Sequence, residues 1–178
     1  MIALRRAAVG DEAAIARVNV EAWRQAYAAR VPHAMADAVT IERRAPMWQA
    51  LIGAHQATHP TWVAVDDAAG IVGFATGSPA GSPVEGIDGE LHMLFIAPGF
   101  QRRDVGRRLF HALAGGLVAA GCRSAVATVL NAPAALGFCR ALGGVTIAET
   151  DLAVAGATVA QTLFAWPDLT DLPPQPGS

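Results

Sequence analysis

Charge and long apolar runs are both scarce in this chain of 178 residues. Charged residues make up only 16% of it and the formal net charge is −2, so it lacks the basic excess of a general nucleic-acid binder. Apolar residues reach 53%, too many for a disordered chain. No apolar run approaches the ~20 residues that a membrane span needs, and none follows Arg5 and Arg6 to make a signal peptide. We therefore expect one compact domain that binds neither nucleic acid nor membrane.

Cysteine and tyrosine are also rare. Cys122 and Cys139 are too few for a disulfide framework and are not spaced as metal ligands, and the histidines form no metal-binding spacing, so we expect no metal. Two reduced thiols are typical of a cytoplasmic protein. Tyr27 is the single tyrosine, so the chain has one phenol available for acid–base chemistry.

The hydrophobic pattern predicts a mixed α/β fold. Seven apolar, β-prone runs predict strands at residues 2–9, 62–65, 71–75, 91–96, 124–130, 146–154 and 158–165. Helical spacing predicts helices that begin after Asp11, after Thr40, at Val105 and at Ala134. Residues 90–130 form a strand–helix–strand unit, which implies one parallel crossover in a mainly antiparallel sheet with helices on both faces. We expect the domain to span residues 1–166, a loop at residues 77–89, and a loose proline-rich tail at residues 167–178.

One segment, residues 90–109, joins a buried strand to an arginine-rich loop and a helix. The first amides of a helix are unpaired and carry partial positive charge, so such a loop can hold a phosphate. Gly106 lets the backbone approach an anion closely, and four arginines add charge. A solvated basic turn at a helix start explains these local features equally well.

The same segment resembles the acetyl-coenzyme A loop of the GNAT family of N-acetyltransferases, Q/R-x-x-G-x-G/A, on which Gln101, Arg103 and Gly106 fall. Residues 21–27 resemble the first helix of one bacterial branch of that family, and residues 138–144 resemble its FYERLGG helix end. The resemblance covers residues 2–166.

This resemblance implies transfer of an acetyl group from acetyl-coenzyme A to a primary amine by direct attack, with both substrates bound. The pantetheine arm would pair with the fourth strand and the diphosphate would lie on the loop. The cofactor contacts implied are Phe95, Ile96, Gln101, Arg102, Arg103, Asp104, Val105, Gly106, Arg107 and Asn131. Asn131 is equally well explained as the N-cap of the following helix.

Two residues are candidates for the base. Glu90 lies eleven residues before Gln101, where lysine-acetylating GNAT members carry their general base. An edge carboxylate that only solvates a strand end is the alternative. His92 lies two residues further along the strand and faces the same side, so it is a partner of Glu90, an alternative base or a structural histidine.

Two positions depart from the family pattern. Asp104 replaces the middle glycine of the loop and places a negative charge near the diphosphate. Cys139 replaces the tyrosine that protonates the departing thiolate, so either Cys139 or water takes that role, unless Cys139 is an apolar filler. Both departures motivate an alternative function, a catalytically weak or inactive GNAT-fold protein that binds acyl-coenzyme A.

The acceptor pocket is less defined by the sequence. Trp23 and Tyr27 are one helical turn apart and line this pocket if they are not simply core residues. Glu85 and Asp88, together with Glu90, favour a cationic acceptor, either a small-molecule amine or a peptide amine. A homodimer is left open.

Overall fold

The computed structural model describes residues 1–54, 59–79 and 84–173. Its elements are, in chain order, β1 (Ile2–Arg6), α1 (Glu12–Tyr27), α2 (His33–Asp37), α3 (Ile41–Ala54), β2 (Thr61–Asp66), β3 (Gly70–Ser78), β4 (Glu90–Ile96), a 3-10 turn (Pro98–Phe100), α4 (Val105–Ala119), β5 (Ala125–Leu130), α5 (Pro133–Ala141), β6 (Val145–Val154) and β7 (Ala157–Trp166). All seven predicted strands are present among them. The short helix α2, which follows an extended Pro32, was not predicted.

The seven strands form one sheet in the order β1-β2-β3-β4-β5-β7-β6. Every neighbouring pair is antiparallel except β4 and β5, which are parallel and joined through α4. The predicted mixed α/β class with one parallel pair is therefore confirmed. A parallel connection requires a crossover, and α4 supplies it.

Helices cover both faces of the sheet. On β3, the Phe74 ring packs edge-on against Trp48 of α3, with ring centroids 4.8 Å apart. The preceding residue, Gly73, faces α4, because a Cβ added there would lie 3.1 Å from Leu109. Successive residues of a strand point to opposite faces, so α3 and α4 lie on opposite sides of the sheet.

Helix α1 begins directly after Asp11, as predicted. Asp11 occupies the N-cap position, but its side chain does not cap the helix. Its carboxylate accepts hydrogen bonds from the Arg5 guanidinium at 2.6 and 2.9 Å and from the Ala8 amide at 2.8 Å. The Arg5 hydrogen bond lowers the pKa of Asp11. The carboxylate thus ties β1 to the start of α1 and does not cap the first helical amides.

The segment after β7 packs on the body. Leu169 is 4% exposed and its amide donates to the Arg123 carbonyl at 2.7 Å. The Pro173 ring lies against Gly143, where an added Cβ would meet it at 3.1 Å. The expectation of a loose tail is therefore wrong for residues 167–173, and residues 174–178 lie outside the described part. Within the described residues, no helix combines the length and apolar character needed to cross a membrane.

Candidate active site

The cleft between β4 and β5 is closed at one end and open at the other. Their ladder consists of a single pair, Glu90 with Val126, next to a hydrogen bond from the Val126 amide to the Gly89 carbonyl. Beyond this pair β4 continues for six residues with no β5 partner, while β5 pairs with β7. Along that stretch, the edge of β4 that faces β5 has backbone N–H and C=O groups outside any ladder.

Asp88 holds the closed end together. Its carboxylate accepts hydrogen bonds from the amides of Arg123 and Ser124 at 2.9–3.1 Å and from the Ser124 hydroxyl at 2.8 Å. The hydrogen bond from the Arg123 amide, followed in size by the one from the Ser124 amide, keeps the pKa of Asp88 below its usual range. The carboxylate is thus engaged in joining the entries of β4 and β5. This contact weakens the expectation that Asp88 contributes charge to the acceptor pocket.

The open end leads into the loop before α4. Arg102 and Asp104 both have φ of 61°, in the left-handed region that glycine adopts freely and other residues rarely enter. Asp104 is the N-cap of α4 in that conformation. Its position explains why the family pattern has glycine there, and aspartate is among the residues that tolerate it.

The first turn of α4 is not capped by a side chain. Asp104 makes no capping hydrogen bond, and its Oδ1 lies 3.5 Å from the Arg107 Nε instead. The first intrahelical bond that involves Asp104 is from the Arg108 amide to its carbonyl, at 3.1 Å. The amides of residues 105–107 therefore lack intrahelical partners, as expected for an anion-binding helix start.

The four arginines of the loop and of the start of α4 do not all face the same way. Arg108 donates to the Ile2 carbonyl of β1 at 3.0 Å, and Arg107 donates to the Ala141 carbonyl at 3.4 Å. The Arg103 guanidinium lies over the Phe100 ring, 5.3 Å from its centroid. Arg102 is exposed. Two of the four arginines are therefore engaged with main-chain carbonyls elsewhere.

Gln101 and Gly106 both make contacts within the protein. Gln101 Nε2 donates to the Ile96 carbonyl at 3.0 Å and to Gln25 Oε1 of α1 at 2.8 Å. A Cβ on Gly106 would lie 3.1 Å from the Phe138 ring of α5, tighter than ordinary packing. A substitution at Gly106 would therefore disturb the contact between α4 and α5 whether or not an anion binds nearby.

A polar cluster lies at the closed end. The pairing of β3 with β4 shifts by one residue and leaves His92 unpaired, which makes a β-bulge. His92 Nδ1 lies 3.6 Å from Glu90 Oε1, and its Nε2 lies 2.9 Å from Ser78 Oγ. The His59 ring stacks on that of His92 with centroids 5.9 Å apart. The predicted proximity of Glu90 and His92 is confirmed, whereas Ser78 and His59 were not predicted to join them.

Tyr27 and Cys139 lie on the α1 and α5 side of the cleft. Tyr27 packs in one apolar cluster with Trp23, Phe95 and Ala132. Burial raises the pKa of Tyr27 to about 12, with a smaller contribution from the nearby Cys139. Burial also raises the pKa of Cys139 to about 11. The sequence placed both residues near the chemistry, and the structure brings them close to each other.

Asn131 does not cap α5, so that alternative is wrong. The N-cap of α5 is Ala132, and Pro133 takes the first helical position. The Asn131 Oδ1 accepts a hydrogen bond from the Thr162 hydroxyl of β7 at 2.7 Å, and the backbone amide of Asn131 donates to the Ala160 carbonyl. Asn131 therefore ties the end of β5 to β7. Among the residues described, no group of three or more His, Cys, Asp or Glu side chains is arranged to hold a metal ion.

Comparisons with known proteins agree with this architecture. A family model described as the acetyltransferase (GNAT) family matches residues 18–143. The uncharacterized N-acetyltransferase YuaI of Bacillus subtilis is 28% identical over 172 residues, covering 97% of this chain and 96% of that protein.

Solved structures share the fold. The yncA structure from Salmonella typhimurium, which holds its cofactor acetyl-CoA, matches with a TM-score of 0.71 and 18% identity over 100% of this chain and 99% of that chain. The PaiA N-acetyltransferase of Thermoplasma acidophilum, in complex with coenzyme A, matches with a TM-score of 0.65 and 14% identity over 91% and 98%. Since the family model spans well over half of the sequence, this chain belongs to the GNAT family of acetyltransferases.

Proposed function

We propose that this protein transfers an acetyl group from acetyl-coenzyme A to a primary amine by direct attack, with Glu90 as the base. The observation that carries the proposal is the cleft itself. One strand pair closes it at Glu90, and its other end runs into a helix start without a side-chain cap. Such a cleft offers backbone hydrogen-bonding groups to an extended arm and positive amides to a diphosphate.

The residues present fit acetyl-coenzyme A. The unpaired edge of β4 near Phe95 and Ile96 matches an amide-containing arm, although the Ile96 carbonyl already accepts from Gln101. The amides of residues 105–107 and the exposed Arg102 match a diphosphate. The co-substrate supplies the thioester that the amine attacks. The relatives solved with acetyl-CoA and with coenzyme A support the same assignment.

The position of Glu90 supports the proposed role in proton removal. Its side chain is 22% exposed, so an acceptor amine can reach it directly or through a water molecule. The amine must lose a proton before or during attack, because an ammonium has no lone pair. Glu90 lies at the closed end, where β4 and β5 still touch.

The thiolate leaves as an anion when the bond between sulfur and the acetyl carbon breaks, and it is protonated from bulk solvent after it has departed. Cys139, with a pKa of about 11, holds its proton more tightly than an ordinary thiol of pKa ~8.5. Transfer from Cys139 to a coenzyme A thiolate is therefore uphill. Tyr27, with a pKa of about 12, is still less able to donate. A thiolate is a fair leaving group near neutral pH, so a dedicated acid is not required.

The acceptor is a small-molecule or peptide amine, and a cytoplasmic location fits two free, buried thiols. Trp23 and Tyr27 form one wall of the proposed acceptor site, with their rings 5.6 Å apart. Asp88 is engaged with Arg123 and Ser124, so Glu85 and Glu90 are the carboxylates that favour a cationic acceptor.

The test is release of free coenzyme A thiol from acetyl-coenzyme A in the presence of a panel of primary amines. Amine-dependent release, with an acetylated product found by mass spectrometry, supports the proposal. Binding of coenzyme A without any release across the panel supports the alternative, an inactive acyl-coenzyme A binding protein, which the Asp104 and Cys139 departures motivate.

The diphosphate site is tested separately by calorimetry with coenzyme A and with pantetheine, which lacks the diphosphate. Arg102→Ala should weaken coenzyme A binding about tenfold, or ~1.4 kcal/mol, and leave pantetheine binding unchanged. Arg43→Ala, an exposed arginine of α3, is the matched control and should affect neither ligand. Equal losses for both ligands in Arg102→Ala would contradict the placement.

A further inference from the structure

Three side chains form a row across the closed end of the cleft, and one of them, Ser78, has no role in the function proposed above. Ser78 is 4% exposed and is the ladder partner of Glu90 across β3 and β4. Its Oγ lies 2.9 Å from His92 Nε2, and His92 Nδ1 lies 3.6 Å from Glu90 Oε1. Each ring nitrogen of His92 therefore faces a polar group.

The two partners decide which nitrogen of His92 holds the proton. A neutral imidazole has one N–H and one lone pair, and its hydrogen bonds select the tautomer. An ionised carboxylate only accepts hydrogen bonds, so the nitrogen that faces Glu90 is the favoured place for the proton. Nε2 then presents its lone pair to the Ser78 hydroxyl, which can donate. The opposite tautomer would place the Nδ1 lone pair against a carboxylate oxygen.

We infer that Ser78 is a positioning residue that holds His92 in the Nδ1–H form, so that His92 orients Glu90 and Glu90 takes the proton from the acceptor amine. The last of these roles rests on the proposed function. The lone pair of His92 points to Ser78 on β3 and is not available to an acceptor. Within the described residues, the second carboxylate oxygen of Glu90 has no ion pair or hydrogen bond, so it is the atom that can receive the proton.

Two features keep this arrangement in place. The β-bulge at His92 takes that residue out of the ladder and lets its side chain lie beside both Ser78 and Glu90. The His59 ring stacks on it with an interplanar angle of 25°, which opposes rotation of the imidazole.

The experiment is ¹⁵N–¹H NMR of the histidine-labelled full chain, without any ligand, above about pH 8, where an ordinary imidazole is neutral. His92 is assigned by the loss of its signals in His92→Gln. We expect the Nδ1–H tautomer in the wild type. In Ser78→Ala the Nε2 resonance should move towards that of an unbonded nitrogen and the Nε2–H fraction should rise, and Ser78→Thr should reverse both changes.

Thr76→Val is the matched control. It removes a buried hydroxyl two residues earlier on β3, one that pairs with Thr61 at 2.9 Å, and it should leave the His92 resonances unchanged. A wild-type His92 in the Nε2–H form would overturn the inference. So would an Nε2 resonance that is the same in the wild type and in Ser78→Ala. Neither result depends on whether the protein turns over acetyl-coenzyme A.

Turnover gives a second readout. Ser78→Ala should lower kcat ten- to about a hundredfold with little change in the acceptor KM, and Ser78→Thr should recover most of it. Glu90→Gln should lose more activity than His92→Gln. If His92→Gln loses as much as Glu90→Gln or more, His92 is the base and the positioning role is wrong. A wild type without turnover overturns the proposed function and the role of Glu90 while the tautomer result stands.

Discussion

The two ends of β4 differ in where their polar groups are satisfied. At the closed end the carboxylate of Asp88 accepts hydrogen bonds from the amides of Arg123 and Ser124, and β4 pairs with β5. At the open end the strand has no β5 partner, and the chain passes through two left-handed residues into a helix without a side-chain cap. The first arrangement uses hydrogen-bonding groups within the protein, and the second leaves them for a ligand. Substitutions at the two ends should therefore change stability and binding, respectively.

The strongest exception to this division is Glu90, a residue of the closed end that we assign to chemistry. Glu90→Gln should lower kcat/KM for the amine by 10²–10⁴-fold near neutral pH, because a positioned base typically contributes that much. The loss should shrink at high pH, where more of the amine is already unprotonated. Initial rates from pH 6 to 10 measure this, with the melting temperature as a control. A constant loss at all pH values would argue against a role in deprotonation.

Asp88 tests the stability of the closed end. Asp88→Asn should lower the free energy of unfolding by about 1–2 kcal/mol, the low end for charged hydrogen bonds because the carboxylate is exposed. The folded pKa of Asp88 is lowered, so its stabilisation is present above the unfolded value of ~3.9 and is lost as pH falls through the folded value. The melting temperatures of the wild type and Asp88→Asn, plotted against pH, should therefore converge below about pH 4. A constant difference in melting temperature down to pH 3 would show that this carboxylate contributes no pH-dependent stability.

Asp104 tests the open end, with a pair of variants that separates charge from backbone conformation. Asp104→Asn removes the charge but keeps a residue that tolerates positive φ, and it should tighten coenzyme A binding by a few fold. Asp104→Gly removes the charge and also relieves the left-handed strain, so it should bind similarly and add up to about 1 kcal/mol of stability. Calorimetry and thermal unfolding measure the two effects. Weaker binding in Asp104→Asn would mean that the carboxylate helps to shape the loop through Arg107.

The smallest effect is expected at Cys139, which belongs to neither end. Cys139→Ala should change turnover by less than about threefold, because a thiol with a pKa of about 11 is a poor proton donor to a thiolate. A tenfold or larger fall in kcat, with normal melting, would show that the thiol does donate. Cys139→Tyr adds the phenol that the family pattern has at this position. A rise in turnover in that variant would show that a proton donor there is useful.

The sequence predicted the open end better than the closed end. The strand, loop and helix around Gly106 follow one another along the chain, so apolar pattern and a short motif were enough to place them. The contacts of Ser78 with His92 and of Asp88 with Ser124 join residues 14 and 36 positions apart. No local spacing encodes such contacts. The bulge at His92 is a matter of register between two strands, which depends on the partner strand as much as on β4.

Some features were missed for local reasons as well. The strand β3 extends to Ser78, beyond the apolar run that ended the prediction at Ala75, because polar and small residues continue the ladder there. Prolines after β7 indicated a loose segment, but Leu169 among them is apolar enough to join the core.

The packing of Leu169 has a consequence for how the protein is made. The Leu169 amide donates a hydrogen bond to the Arg123 carbonyl, and the Arg123 amide donates to the Asp88 carboxylate. The junction between the parallel strands β4 and β5 is therefore completed by residues that follow the last strand. These residues are synthesised after the strands of the sheet. A chain that ended at Trp166 would have those strands but would lack the hydrogen bond between Leu169 and Arg123 that completes this corner. Truncation or a fusion partner should therefore be placed beyond Pro173 and not at the end of the last strand.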